Sequence, residues 1–118
     1  AGDLPAHRVG YSFGALIAAL RACEPRAVPR AGEWLVGIAP PLTRARFDFL
    51  AGCPRRKAFF LAGHDFLYGE AETSELSGWL APGDRLEVLP DADHFFRGEE
   101  GELARRVRGV LLPQQEPS

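Results

Sequence analysis

Three residues of this 118-residue sequence have the types and order for nucleophilic chemistry: Ser12, Asp65 and His94. Ser12 is the centre of Gly10-Tyr11-Ser12-Phe13-Gly14, a G-x-S-x-G pentapeptide. Such a segment makes a nucleophile by geometry, because a sharp turn from strand to helix lifts the serine hydroxyl above a sheet. Backbone passes close to the residues two before and two after the serine, so glycine is expected to be favoured at both Gly10 and Gly14. The helix that follows aims its N-terminus at the hydroxyl. The amide of Phe13 is then placed to donate to an oxyanion, aided by the helix dipole. The plainer alternative is a glycine-bounded helix start with Ser12 as its cap.

A serine hydroxyl needs a base. His7 lies in the first apolar run and reads as structural. His64 follows the third run, beside Asp65. His94 follows the fourth, in Pro90-Asp91-Ala92-Asp93-His94-Phe95-Phe96. Serine, acid and histidine then occur in the chain order Ser12, Asp65, His94, each in a loop expected at the C-terminal end of a strand, where α/β sheets place their sites. The alternatives are a surface-loop histidine at 94 and a turn aspartate at 65. Asp91 and Asp93 read as turn residues and not as metal ligands. Phe47, Phe49, Phe95 and Phe96 are candidates for an acyl pocket, with core packing the commoner role for such residues. Tyr11 and Phe95, which flank the serine and the histidine, are taken as substrate-contacting.

The elements that must position these groups follow from the apolar pattern. Short runs at residues 6–9, 34–39, 58–62 and 86–89 read as strands. The second and third are continuously apolar, as strands covered on both faces are. Helices are expected from Ala15 to about Cys23, from 70 to 80 and from 99 to 112. The first is apolar on every side and is expected to be buried. Pro25 disfavours a helical Glu24 and ends it. Arg105, Arg106 and Arg108 are assigned to the solvated face of the last helix. Strands alternating with helices predict a three-layer α/β domain over residues 1–112: a parallel sheet of about four strands with helices on both faces. Residues 113–118 are expected to be a disordered tail.

Composition narrows the function. Hydrophobic residues make up 46% of the chain, enough for a packed core. Fourteen basic against 16 acidic residues, for a net charge of −2, lack the basic excess of a nucleic-acid binder. No apolar run approaches the ~20 residues of a membrane helix. The start of the chain lacks the basic segment and apolar run of a signal peptide, so a cytoplasmic location is expected. Cys23 and Cys53 have no metal-ligand spacing and are expected to be reduced and packed, with a disulfide between them as the alternative.

The sequence resembles the C-terminal half of dienelactone-hydrolase-like members of the α/β-hydrolase superfamily. The resemblance runs from about Gly10 to Leu112. It rests on the pentapeptide at 10–14, on Ala39-Pro40-Pro41-Leu42, Phe47-Asp48-Phe49-Leu50 and Ala62-Gly63-His64-Asp65, and on Asp93-His94-Phe95-Phe96 with Gly98 following. It implies a truncated α/β-hydrolase fold, Ser12 as nucleophile, His94 as general base and Asp65 as the group that orients it, with no cofactor or metal. It implies a small ester-like substrate. Three departures stand out. Asp65 sits two residues after Gly63, where the family's acid often sits three after its glycine. The run before the elbow is short and holds His7 and Arg8. The strands that precede the elbow in the family, and the loop that donates a second oxyanion amide, have no counterpart. An N-terminal partner or self-association is therefore expected. So is the rival outcome, a non-catalytic fragment or interaction module that associates through an exposed sheet edge.

Overall fold

A computed structural model of the chain describes residues 6–25 and 32–112. The tail expected at 113–118 lies outside the described residues. Four strands and three helices alternate in order: β1 (Arg8–Tyr11), α1 (Phe13–Ala22), β2 (Trp34–Ile38), β3 (Arg56–His64), α2 (Glu70–Trp79), β4 (Arg85–Asp93) and α3 (Glu100–Leu111). A 3₁₀ turn at Asp48–Gly52 links β2 to β3. The strands form one parallel sheet in the order β1-β2-β3-β4.

Alternation along the central strands divides the core into two faces. Leu35, Phe59 and Leu61 point to the face covered by α1 and α2, where they pack on Ala19, Ala22 and Leu76. Val36, Ala58 and Phe60 point to the opposite face, under Val110 of α3 with Val107 and Leu111 beside it. The continuous apolar runs of β2 and β3 therefore report burial on both faces, and the three-layer α/β architecture is the one expected from the sequence.

The expected helix burial needs correction. Leu16, Ala19, Ala22 and Cys23 of α1 and its C-cap pack inward, but Phe13, Ile17 and Leu20 form an exposed stripe along the other side. The helix is apolar all round, yet one element cannot bury both sides against one sheet face. Val9 and Tyr11 of β1 are exposed too, and β1 pairs with β2 alone among the described strands.

The cysteines also differ from expectation. Cys23 caps the C-terminus of α1 and Cys53 caps the 3₁₀ turn. Their Cα atoms stand 4.8 Å apart and the sulfurs form a disulfide, a separation within the usual range for such a bond. Packing of two helix ends across 30 residues of sequence brings them together, and no local spacing announces that.

Strand ends moved as well. β3 runs on through Gly63 to His64, and β4 passes through Pro90 to Asp93. Proline lacks an amide donor, so it fits a strand only where no ladder partner is needed, and β4 lies at one edge of the sheet among the described strands. Register slips here: Ala62 pairs with Leu89 and the next pair is His64 with Asp93. Gly63 permits the crossing, because a Cβ there would stand 2.3 Å from the Pro90 carbonyl oxygen. This irregularity sets where Asp65 and His94 emerge. Below it, Lys57 and Asp84 form a buried ion pair at 2.9 Å that ties the start of β3 to the turn before β4.

Candidate active site

Ser12 sits at the junction of β1 and α1 with φ 56° and ψ −122°, a left-handed-side conformation that a residue other than glycine adopts at a cost of roughly 1–3 kcal/mol. Its amide donates to the Ile38 carbonyl at 2.8 Å, and its carbonyl accepts from the Ala15 amide at 2.9 Å. The turn is held from both sides. Gly10 is required here: a Cβ would stand 2.1 Å from the Gly14 carbonyl oxygen. Gly14 is not required for the same reason, since a Cβ on it would meet nothing within 4 Å. The close approach is one contact between the two glycines, and only one of them would bring a side chain into it.

Asp65 and His94 arrive from the ends of β3 and β4. Ser12 Oγ lies 3.0 Å from His94 Nε2, and His94 Nδ1 lies 2.6 Å from Asp65 Oδ2. The Asp65 side chain is 0% exposed and that of His94 5%. Asp65 Oδ1 accepts the Leu67 amide at 2.7 Å, a turn that closes the acid's own loop. Thr43 fastens this loop from outside, its amide and hydroxyl both donating to the Leu67 carbonyl. The spacing of Asp65 from Gly63 leaves no gap, because the register slip brings His94 to it.

Two tyrosines brace the loops. The Tyr11 hydroxyl donates to the His94 carbonyl at 2.7 Å, across 83 residues of sequence. The Tyr68 oxygen accepts the Ala62 amide at 2.6 Å, beside the slipped register. Burial above all pushes both phenols above their ordinary range, and the negative charge of Asp65 adds to it. In Tyr68 the bond from Ala62 opposes the rise without cancelling it. Both hydroxyls therefore stay protonated near neutral pH.

Around His94 stand three aromatic rings: Tyr11 at 5.5 Å, Phe66 at 5.0 Å and Phe95 at 5.2 Å between centroids. Phe13 begins α1, and its side chain is exposed beside Ser12. As the first helical residue it has no intrahelical partner for its amide. Beneath the loops, Ala39, Ala62, Leu89, Ala92 and Phe96 form a small buried cluster. Ala39 and Phe96 share with Ser12 a positive φ, at 49° and 54°, so the chain bends sharply at three of the strand ends that carry or support the site.

The structure thus brings Ser12, Asp65, His94, Tyr11, Phe13 and Phe95 together at one end of the sheet. Phe66, Tyr68 and Thr43 join them without a signal in the sequence, since each acts through a contact between separate loops. His7 lies away from them, its Nδ1 accepting the Trp34 amide at 3.1 Å. His64 ends β3, paired with Asp93. Asp93 Oδ1 accepts the Phe95 and Arg97 amides, and among the described residues no group of His, Cys, Asp or Glu has an arrangement fit to hold a metal. Phe47 and Phe96 are core, with Phe49 stacked on Phe47. Arg106 is not wholly solvated: it bridges Glu102 to Glu87 of β4. A cavity of about 710 Å³ opens between α2 and the β3–β4 edge, but Ser12, Asp65 and His94 do not line it.

No protein-family model matches the sequence, and no curated protein matches it. Solved structures do. A protein of unknown function from Agrobacterium tumefaciens, thought to be an alpha/beta hydrolase, is 30% identical, with a TM-score of 0.67 over 94% of this chain and 55% of its own. An alpha-beta serine hydrolase homologue from Coxiella burnetii is 23% identical, with a TM-score of 0.74 over 90% of this chain and 49% of its own. An a/b serine hydrolase without a lid, from Xanthomonas campestris, is 22% identical, with a TM-score of 0.68 over 93% of this chain and 49% of its own. The chain spans about half the length of these structures. Among the described residues no helix is long and apolar enough to cross a membrane. The chain has the fold of about half of an α/β hydrolase and is related to the α/β-hydrolase superfamily.

Proposed function

We propose that this chain carries the nucleophile, base and acid of a serine hydrolase that cleaves small ester-like substrates. The observation that carries the reading is the unbroken line of hydrogen bonds from Ser12 through His94 to the buried Asp65. Ser12 Oγ attacks the carbonyl carbon as His94 Nε2 takes its proton. Asp65, bonded to Nδ1, fixes the imidazole's orientation and stabilises the imidazolium. The Phe13 amide, at the positive end of α1, stabilises the oxyanion. His94 then protonates the departing alcohol, and a water activated by the same nitrogen releases the acid. This route calls for no cofactor. The dienelactone-hydrolase-like character implied by the sequence belongs to this proposal.

The test is turnover of short-chain esters by the chain and by its variants. Ser12→Ala should abolish turnover, and His94→Ala should lower it by several orders of magnitude, since such residues act as a unit. Turnover that survives Ser12→Ala contradicts the reading.

A second reading is favoured by one observation. β1 forms an edge of the sheet, and Val9, Tyr11, Phe13, Ile17 and Leu20 expose apolar surface beside it. An open edge with apolar flanks pairs readily with another chain. On this reading the chain is an interaction module, and any activity waits on a partner or a second copy.

A further inference from the structure

The reaction proposed above constrains where the departing alcohol must lie. His94 Nε2, 3.0 Å from Ser12 Oγ, takes the serine proton and later gives it to the leaving oxygen, so that oxygen must come within hydrogen-bond reach of the same nitrogen. The group attached to that oxygen then lies against the imidazole.

Two phenyl rings reach the His94 imidazole from separate loops. Phe66, from the loop after β3, stands 5.0 Å from the imidazole, and Phe95, from the loop after β4, stands 5.2 Å from it and edge-on. Phe66 is 71% and Phe95 54% exposed, although the imidazole between them is buried. One exposed phenylalanine needs no explanation. Two that stand against the same buried imidazole leave exposed ring surface on the histidine that would protonate the departing alcohol. The Arg97 guanidinium lies over the Phe95 ring at 5.0 Å. Flat rings favour a flat partner in an offset or edge-to-face arrangement.

Resting on the reading of Ser12 as nucleophile, we infer that the leaving-group side of the site takes the ring of an aromatic alcohol, so that the substrates are small esters of such alcohols. The balance is that of ester hydrolysis. The bond from Ser12 Oγ to the acyl carbon forms and the bond from that carbon to the alcohol oxygen breaks. The serine proton passes through Nε2 to the alcohol. Water then supplies the hydroxyl of the free acid and the proton that restores Ser12.

Benzyl and ethyl acetates test this, because their alcohols are leaving groups of similar basicity and share one acyl group. The chain should prefer benzyl acetate by about 10-fold or more in kcat/KM, the scale on which a shaped apolar subsite discriminates. Phe66→Ala and Phe95→Ala should each shrink that ratio, and Phe66→Leu should shrink it less than Phe66→Ala. A ratio near one, or one that neither alanine variant changes, overturns the inference. A second measurement does not need turnover. Benzyl alcohol titrated into the Ser12→Ala protein should shift the His94 imidazole resonances in NMR spectra, and Phe95→Ala should weaken the shift. No shift at millimolar benzyl alcohol overturns the aromatic subsite. A shift together with ester turnover that survives Ser12→Ala upholds the subsite and overturns the nucleophile instead.

Discussion

At the scale of single residues, the loops of the candidate site are held by groups outside the Ser12–His94–Asp65 line. Tyr68 accepts the Ala62 amide where the sheet register slips, so Tyr68→Phe leaves a buried donor without its partner. Such a loss costs about 1–3 kcal/mol, which urea unfolding would measure; a stability unchanged from the parent would remove Tyr68 from this role. The two tyrosines also make a pH prediction. Both phenols are raised above the ordinary tyrosine value of 10.0, and the chain has 2 tyrosines in all. At pH 10 the tyrosinate absorbance of the folded chain should reach less than half its final value. In the unfolded chain the phenols ionise near 10, so the folded state binds more protons above that pH. The stability that the neutral phenols contribute is therefore complete below pH 10 and is lost as pH rises towards the folded values. Ser12, Asp65 and His94 were readable from sequence because type, order and position after apolar runs all converge on them. Tyr11 was read as a substrate contact, and its bond to the His94 carbonyl was not foreseen, since 83 residues of sequence separate them.

At the scale of elements, the continuous apolar runs of β2 and β3 announced those strands, because burial on both faces leaves a continuous signature, whereas the 3₁₀ turn at Asp48–Gly52 had no such signal. Boundaries were less readable. β4 passes through Pro90 because it is an edge strand, and edge position is a property of the assembled sheet. The disulfide was missed for the same kind of reason. Closing a loop of 30 residues with a cross-link stabilises by roughly 3–4 kcal/mol in the chain-entropy account. Cys23→Ser with Cys53→Ser, or reduction by dithiothreitol, should lower the melting temperature accordingly. A melting temperature unmoved by reductant would contradict the cross-link. Lys57 carries a second such test. It is buried against Asp84 and also donates to the Cys53 and Arg55 carbonyls. Lys57→Met leaves a buried carboxylate without its cation, an imbalance that typically costs about 3–5 kcal/mol, and denaturant unfolding would read it.

At the scale of the whole molecule, the sheet gathers Ser12, Asp65 and His94 at one end and leaves an apolar flank exposed beside β1 among the described residues. Strand patterns alternating with helical ones pointed to the parallel α/β sheet, but the exposed stripe of Phe13, Ile17 and Leu20 lies on a helix expected to be buried, since sequence shows that a helix is apolar and not how many neighbours cover it. The stripe and the β1 edge predict that the 118-residue chain associates with itself at micromolar concentrations. Sedimentation should show mass rising with concentration, and Val9→Lys with Ile17→Glu should return it towards the monomer. A parent chain that stays monomeric would contradict this. The central claim is that Ser12 is an activated nucleophile, and covalent labelling tests it most directly. Incubation of the folded chain with a fluorophosphonate, followed by peptide mass spectrometry, should find the adduct on Ser12, and His94→Ala should slow its formation by orders of magnitude. An adduct on another residue, or a folded chain whose Ser12 stays unlabelled, would contradict the account.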